Sequence, residues 1–222
     1  MPACNFCKRE FKNEKTLLTH LCEQARRFKN KDAKHVQLGF HIYKMFYKVI
    51  QGRANKTYDD FSSSPYYLAC TKWGNYVMEI GCFDTLGYAN WLIKNQIPID
   101  KWTQDSIYTK WVADWVYIED HYDAATRSIE TMHAWAVEKQ AAYNHYFKYA
   151  ATPRIILDLQ TAKVTGWVVF CSETGPAWLS NLQPEEIMMI WDVVNPDKWQ
   201  KKFRDRPDAE NDIKELCKEA KL

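Results

Sequence analysis

The chain has 222 residues, with 46% hydrophobic and 26% charged residues, enough for a folded domain of ordinary size plus a small module. Aromatic residues reach 15%, which favours a large packed core and argues against disorder over most of the chain. Only 7 Gly and 8 Pro exclude a collagen-like tract or a long flexible linker, and no apolar run reaches the length of a membrane helix. The formal net charge is +2, but residues 1–60 carry 13 basic and 6 acidic side chains, so the first quarter is strongly basic and the remainder acidic.

The N-terminus lacks the charged-then-apolar order of a signal peptide, and the seven cysteines are odd in number. A soluble, intracellular protein is expected, in the cytoplasm and without a membrane partner. A Cys-x-x-Cys at the start of such a chain points to metal or redox chemistry before a disulfide.

Residues 4–22 carry the sharpest motif. Cys4 and Cys7 have zinc-knuckle spacing; Phe11, Leu17 and His20 follow at the intervals of the classical Cys2His2 zinc finger, which this segment resembles. A module of this size cannot bury enough surface by itself, so Zn²⁺ would supply the folding energy. Phe11 and Leu17 would pack between a short hairpin and a helix. The second histidine of the pattern is missing: Gln24, Ala25 and Arg26 stand in its place. Cys22 is the nearest fourth ligand; the alternatives are a three-ligand site or a distant fourth ligand such as His35. Residues two apart on a regular helix diverge by about 200°, so the helix should end or distort near His20–Cys22.

If the finger docked as classical ones do, Asn13, Thr16 and Thr19 would face bases. Lys8, Lys12, Lys15, Arg26, Arg27 and Lys29 would hold phosphates. One finger covers about three base pairs, so high sequence specificity would need help from elsewhere. The plainer alternative is a zinc staple on a solvated lysine-rich surface.

Along the rest of the chain the pattern is helical. Apolar spacing predicts a helix from about Asp32 to Ile50, stopped by Gly52, with a polar stripe of Lys34, Gln37, His41, Lys44 and Lys48. Asn55 to Ser64 reads as a polar connector, broken by Pro65. Helices are expected over Tyr66–Glu79 and Thr85–Asn95, with a turn at residues 97–100. Thr103 to Tyr149 reads as one long helix or two with a bend. Ile155–Leu157 and Trp167–Phe170 read as a small β-hairpin near 155–170, with helix as the alternative. Helices should start at Pro184 and Pro207. The fold class is therefore mostly α: a ββα-like finger followed by an aromatic-rich helical domain. The boundary, drawn on ligands and charge, divides residues 1–30 from 31–222.

Phosphate-loop, dinucleotide and nucleophile-elbow motifs are absent from the sequence. Glu119, Asp123, Glu130 and His133 would share roughly 80° of an ideal helix, and Glu130-x-x-His133 has the spacing of di-iron bundles, although a second such motif is lacking. A structural or surface role is favoured for this stripe. Asp158 to Lys163 has only part of a nuclease-like acidic–lysine pattern. The scattered cysteines read as buried thiols.

Beyond the finger, Ser64-Pro65-Tyr66-Tyr67 and Ile99-Asp100-Lys101-Trp102 before a long helix resemble uncharacterised single-finger proteins of large tailed bacteriophages. The resemblance implies a viral DNA-metabolism or transcription setting and transfers no activity. The leading expectation is a non-enzymatic, zinc-dependent nucleic-acid-binding protein, with DNA favoured over RNA, whose helical body positions or recruits another protein. The alternatives are an enzyme acting on nucleic acid, targeted by the finger, and a protein–protein adaptor with a zinc staple.

Overall fold

A computed structural model describes residues 1–52 and 55–222. The chain forms two compact units, Met1–Gln104 and Asp105–Leu222. The described residues contain helices and a single isolated bridge, Ala3 with Glu10, and no sheet. None of these helices is long and apolar enough to cross a membrane.

The first unit holds α1 (Glu14–Leu18), α2 (Glu23–Lys29), α3 (Lys34–Gln51), α4 (Tyr58–Ser63), α5 (Tyr67–Glu79) and α6 (Thr85–Lys94), closed by a 3-10 turn at Ile99–Lys101. The expected finger hairpin is reduced to the one bridge. Gly52 ends α3 with φ 69°, a conformation open to glycine. The polar connector after it contains a helix, α4, started by a capping box between Thr57 and Asp60. Its apolar payload is one residue, Phe61, fully buried against Phe40, Tyr43, Tyr58 and Tyr67.

Helices α3 and α5 lie closely together because each offers a glycine to the other's backbone. A Cβ on Gly39 would meet the Cys70 carbonyl oxygen at 2.8 Å, and one on Gly74 would overlap the His35 carbonyl. The polar stripe of α3 is exposed as expected: Lys34, Gln37, His41, Lys44 and Lys48 all face solvent.

The second unit contains α7 (Asp105–Trp115), α8 (His121–Lys139), a 3-10 turn (Tyr143–His145), α9 (Tyr146–Tyr149), α10 (Thr152–Gln160), α11 (Gly166–Cys171), α12 (Gly175–Ser180), α13 (Pro184–Val194), α14 (Pro196–Asp205) and α15 (Pro207–Glu219). The long 103–149 pattern is two helices, with a shorter pair of turns after them. The break between α7 and α8 comes from Asp120, whose carboxylate accepts the Tyr122 and Asp123 N–H groups and starts α8 afresh. Gln140, at φ 52°, ends α8 in the left-handed conformation.

The β-hairpin expected near 155–170 is not formed; both runs are helical, as α10 and α11. Pro153 sits in the first turn of α10, and Ile155, Ile156 and Leu159 bury one helical face. Helix α11 buries Gly166, Trp167, Val168 and Val169 in succession. A short segment apolar on all sides has no period that separates strand from helix. Asp158, read as part of a nuclease-like pattern, is buried and held at 2.7 Å by both the Tyr146 hydroxyl and the Arg154 Nε.

Candidate metal centre

The metal ligands come from three short pieces of backbone. The turn after the bridge brings Cys4 and Cys7 to one side: the Lys8 N–H donates to the Cys4 carbonyl at 2.9 Å, and the Cys4 N–H donates to Arg9 at 2.9 Å. Lys8 takes φ 59° to complete that turn. Asn13 then starts α1 by accepting the Thr16 N–H at 2.9 Å. The helix stops at Leu18, with Thr19 as its cap. The His20 N–H closes a tighter turn onto the Leu17 carbonyl at 3.1 Å. The His20 ring packs on Phe11, with centroids 4.7 Å apart.

Cys22 then starts a new helix, α2, its sulphur accepting the Ala25 N–H at 3.4 Å. The helix break expected at His20–Cys22 is therefore present. It frees the backbone so that side chains two residues apart converge instead of diverging.

Cys4, Cys7, His20 and Cys22 offer ligand atoms that all lie within 4.8 Å of one another. The Cys4 and Cys22 sulphurs are 3.6 Å apart, and Cys7 Sγ lies 3.3 Å from His20 Nε2. A tetrahedron built on 2.3 Å metal–sulphur and 2.0 Å metal–nitrogen bonds has edges of roughly 3.5–3.8 Å. The spacing and the donor set fit a metal ion. Other groups of three or more such ligands are not found among the described residues, and His35, on α3, takes no part.

The electrostatics agree with this. The N–H groups of Cys7 and Phe6 hold the Cys4 thiol down at about 7. At Cys7 the Arg9 N–H lowers the pKa, but burial and the neighbouring Cys4 and Cys22 sulphurs raise it on balance. Three thiolates crowded in this way repel one another until a cation sits between them.

The finger is locked to the rest of its unit by a chain of rings. Phe6 in the knuckle meets Phe28 of α2 at 5.7 Å, Phe28 meets Tyr58 at 6.2 Å, and Tyr58 meets the buried Phe61 at 5.8 Å. The Tyr58 hydroxyl donates to the Arg27 carbonyl at 2.6 Å. Neither Phe28 nor Tyr58 stands out in the sequence, although Thr57-x-x-Asp60 is a readable helix start.

The residues expected to contact nucleic acid fall into two groups. Lys8, Lys12, Lys15, Arg26 and Lys29 are exposed; of these, Arg26 is 70% exposed and pairs with Glu23 at 2.8 Å. Arg27 is different. Its guanidinium donates to the Ser62 carbonyl at 2.8 Å and lies 4.4 Å over the Tyr67 ring, with only 15% of its side chain exposed. It clamps α2 to α4 and α5. The base-facing candidates are also committed locally. Asn13 Oδ1 accepts both the N–H and the hydroxyl of Thr16, and the Thr19 hydroxyl donates to the Lys15 carbonyl at 3.2 Å.

The acidic–histidine stripe does not assemble. Glu119 precedes α8 and is buried, paired with Arg127 and accepting the Trp115 indole N–H at 3.2 Å. Burial raises its pKa despite that pairing. Asp123 and Glu130 are exposed, and His133 stacks on Tyr143 at 4.0 Å.

No family model matches the chain, and neither a curated protein nor a solved structure is found to match it.

Proposed function

We propose that the protein is a zinc-stabilised nucleic-acid-binding protein that grips the phosphate backbone through its basic N-terminal unit and reads little or no sequence. Zinc is the metal that best suits three cysteines and one histidine gathered within 4.8 Å of one another. With four protein ligands the ion has no open position, so its role is to fold the finger.

The observation that carries the reading is the division of labour among the basic residues. Lys8, Lys12, Lys15, Arg26 and Lys29 project from the metal-folded segment, and Lys34, His41, Lys44 and Lys48 line the exposed side of α3. The unit as a whole has 16 basic and 9 acidic residues. Meanwhile Asn13, Thr16 and Thr19 are engaged in capping, and α1 is only 5 residues long. A surface of this kind supplies salt-dependent, sequence-tolerant attraction to phosphates. DNA is favoured over RNA.

The test is a triple variant, Lys12→Ala, Lys15→Ala and Arg26→Ala, in the zinc-loaded protein. It should weaken binding to a short DNA duplex and reduce the salt slope by about one per lost contact. Unchanged affinity and slope would rule the assignment out.

A second reading, a protein-binding surface on the finger, is favoured by one specific feature. Leu18 and Leu21, on either side of His20, are 86% and 97% exposed. Leu18→Ser with Leu21→Ser would abolish capture of a partner under that reading and leave DNA affinity unchanged under the first.

A further inference from the structure

The second unit is acidic, with 14 basic against 19 acidic residues. Against that background its cavity of about 440 Å³ is conspicuous, because Lys198, Lys201, Lys202 and Arg206 all line it. Asp114 and Asp205 are the acidic residues in the lining, so cations outnumber carboxylates there by two to one. Lys198, Lys201, Lys202 and Asp205 recur at three- and four-residue spacing, which places them along one face of α14. Ala113 and Asp114 of α7, with Tyr117 just beyond it, form the opposite wall.

Solvated lysines normally keep their ammonium in water and bury only the stem. Lys202 does not: the residue is 8% exposed, and its ammonium lies 4.7 Å over Trp167 and 5.0 Å over Trp199. It donates to the Val116 carbonyl at 2.8 Å, which commits one of its three N–H donors to a hydrogen bond. Glu119, ion-paired with Arg127, also favours the charged form of Lys202. Burial lowers the Lys202 pKa to about 8, which still leaves the amine mostly protonated at neutral pH.

The wall around it is fixed in advance. Tyr117 donates to the Asp192 carbonyl at 2.9 Å, and Lys198 sits 4.9 Å over its ring. Trp199 packs against Gly166, where a Cβ would overlap its indole ring. A preformed cavity in the usual size range for small ligands, with convergent cations and one buried ammonium, suits a compact anion of more than one charge.

The geometry points to this cavity as a binding site for a small phosphate-bearing anion, held by Lys198, Lys201, Lys202 and Arg206. The Tyr117 ring is already engaged, with Lys198 over it at 4.9 Å and Trp199 tilted against it at 5.6 Å, which argues against its serving as a base-stacking platform. The phosphates, not an attached base, carry the recognition.

The test is calorimetric titration of the full-length, zinc-loaded protein at low ionic strength, with pyrophosphate and with ATP as separate probes. Similar affinity for both assigns recognition to the phosphates alone, whereas clearly tighter binding of ATP would overturn that part of the assignment. The double variant Lys201→Ala/Arg206→Ala changes exposed side chains and should weaken pyrophosphate binding by about tenfold or more. Lys12→Ala/Lys15→Ala, in the other unit, should leave it unchanged. Failure of both probes to bind, or affinity that survives the Lys201/Arg206 change, would overturn the site. Loss of affinity that follows the Lys12/Lys15 change instead would overturn it equally.

Discussion

The first thirty residues and the centre of the second unit stand at opposite ends of how a chain can be held together. Neither α1 nor α2 contains a buried residue, and Cys4 is the buried residue of that segment. In α11, by contrast, four consecutive residues are buried, and Trp167 is fully enclosed by Trp199, Phe203 and their neighbours. The N-terminal segment has too little apolar surface to fold by burial alone; what it has instead is four side chains within 4.8 Å of one another that could hold a metal, and the rings that anchor it. The second unit has its own aromatic core, built on Trp167, Trp199 and Trp111. The difference explains why charge is spent differently. On the N-terminal segment Lys8, Lys12, Lys15, Arg26 and Lys29 are exposed, whereas Arg27 there and Lys202 in the second unit are drawn inward.

The largest expected effect follows from this contrast. Stripping the metal with a chelator, or replacing Cys7 with Ser, should remove amide-exchange protection from residues 1–30, because structural zinc supplies on the order of 10–16 kcal/mol in finger peptides. Protection in α11 and α15 should persist. Equal loss in both places would show that the segment and the second unit do not differ in the way described.

Next in size is a test of the glycine contact in the first unit. Gly74→Ala forces a Cβ onto the His35 carbonyl, and overpacking of this kind costs roughly 1–3 kcal/mol. Urea unfolding should show the loss in a transition that leaves the second unit's core unaffected.

Alkaline pH should weaken both units. Burial pushes the thiols of Cys70 and Cys171 up to about 12 and that of Cys217 up to about 11. A group whose pKa is raised in the folded state contributes stability that is fully present below its unfolded value and is lost as pH rises through the folded value. The loss should therefore begin near pH 9 and reach on the order of 2 kcal/mol per thiol around pH 10.5. Cys70→Ala should reduce the pH dependence of the first unit; an unchanged profile would contradict the burial of that thiol.

The smallest effect separates two neighbouring arginines. Arg27→Ala removes the clamp onto Ser62 and Tyr67 and should cost about 1–2 kcal/mol. Arg26→Ala, at an exposed pair with Glu23, should change stability by less than about 0.5 kcal/mol while weakening phosphate binding.

Much of this was legible in the sequence, for identifiable reasons. The four metal ligands carry a spacing that few other chemistries require, and the missing second histidine already implied a broken helix at Cys22. Long amphipathic stretches such as α3 and α5 have a clear period. The short buried runs at 155–170 have none, and helix α10 is set by Pro153 and by the fit of Ile155, Ile156 and Leu159 into the core. The break at residues 116–120 hides because no Gly or Pro marks it; Asp120 does the work through a side-chain cap. Arg26 and Arg27 are indistinguishable by composition. Only their positions on α2, one toward solvent and one toward Tyr67, separate an exposed side chain from one that holds the fold together. Lys202 is the same lesson in the second unit, a lysine drawn among tryptophans that nothing in the sequence singles out.

The most direct measurement is the affinity of the zinc-loaded protein for two duplexes of unrelated sequence across a salt series. The expected result is a linear fall of log affinity with log salt, with the same slope and the same affinity for both duplexes. Absence of binding at low salt, or a strong preference for one sequence, would contradict a basic unit that grips phosphates without reading bases.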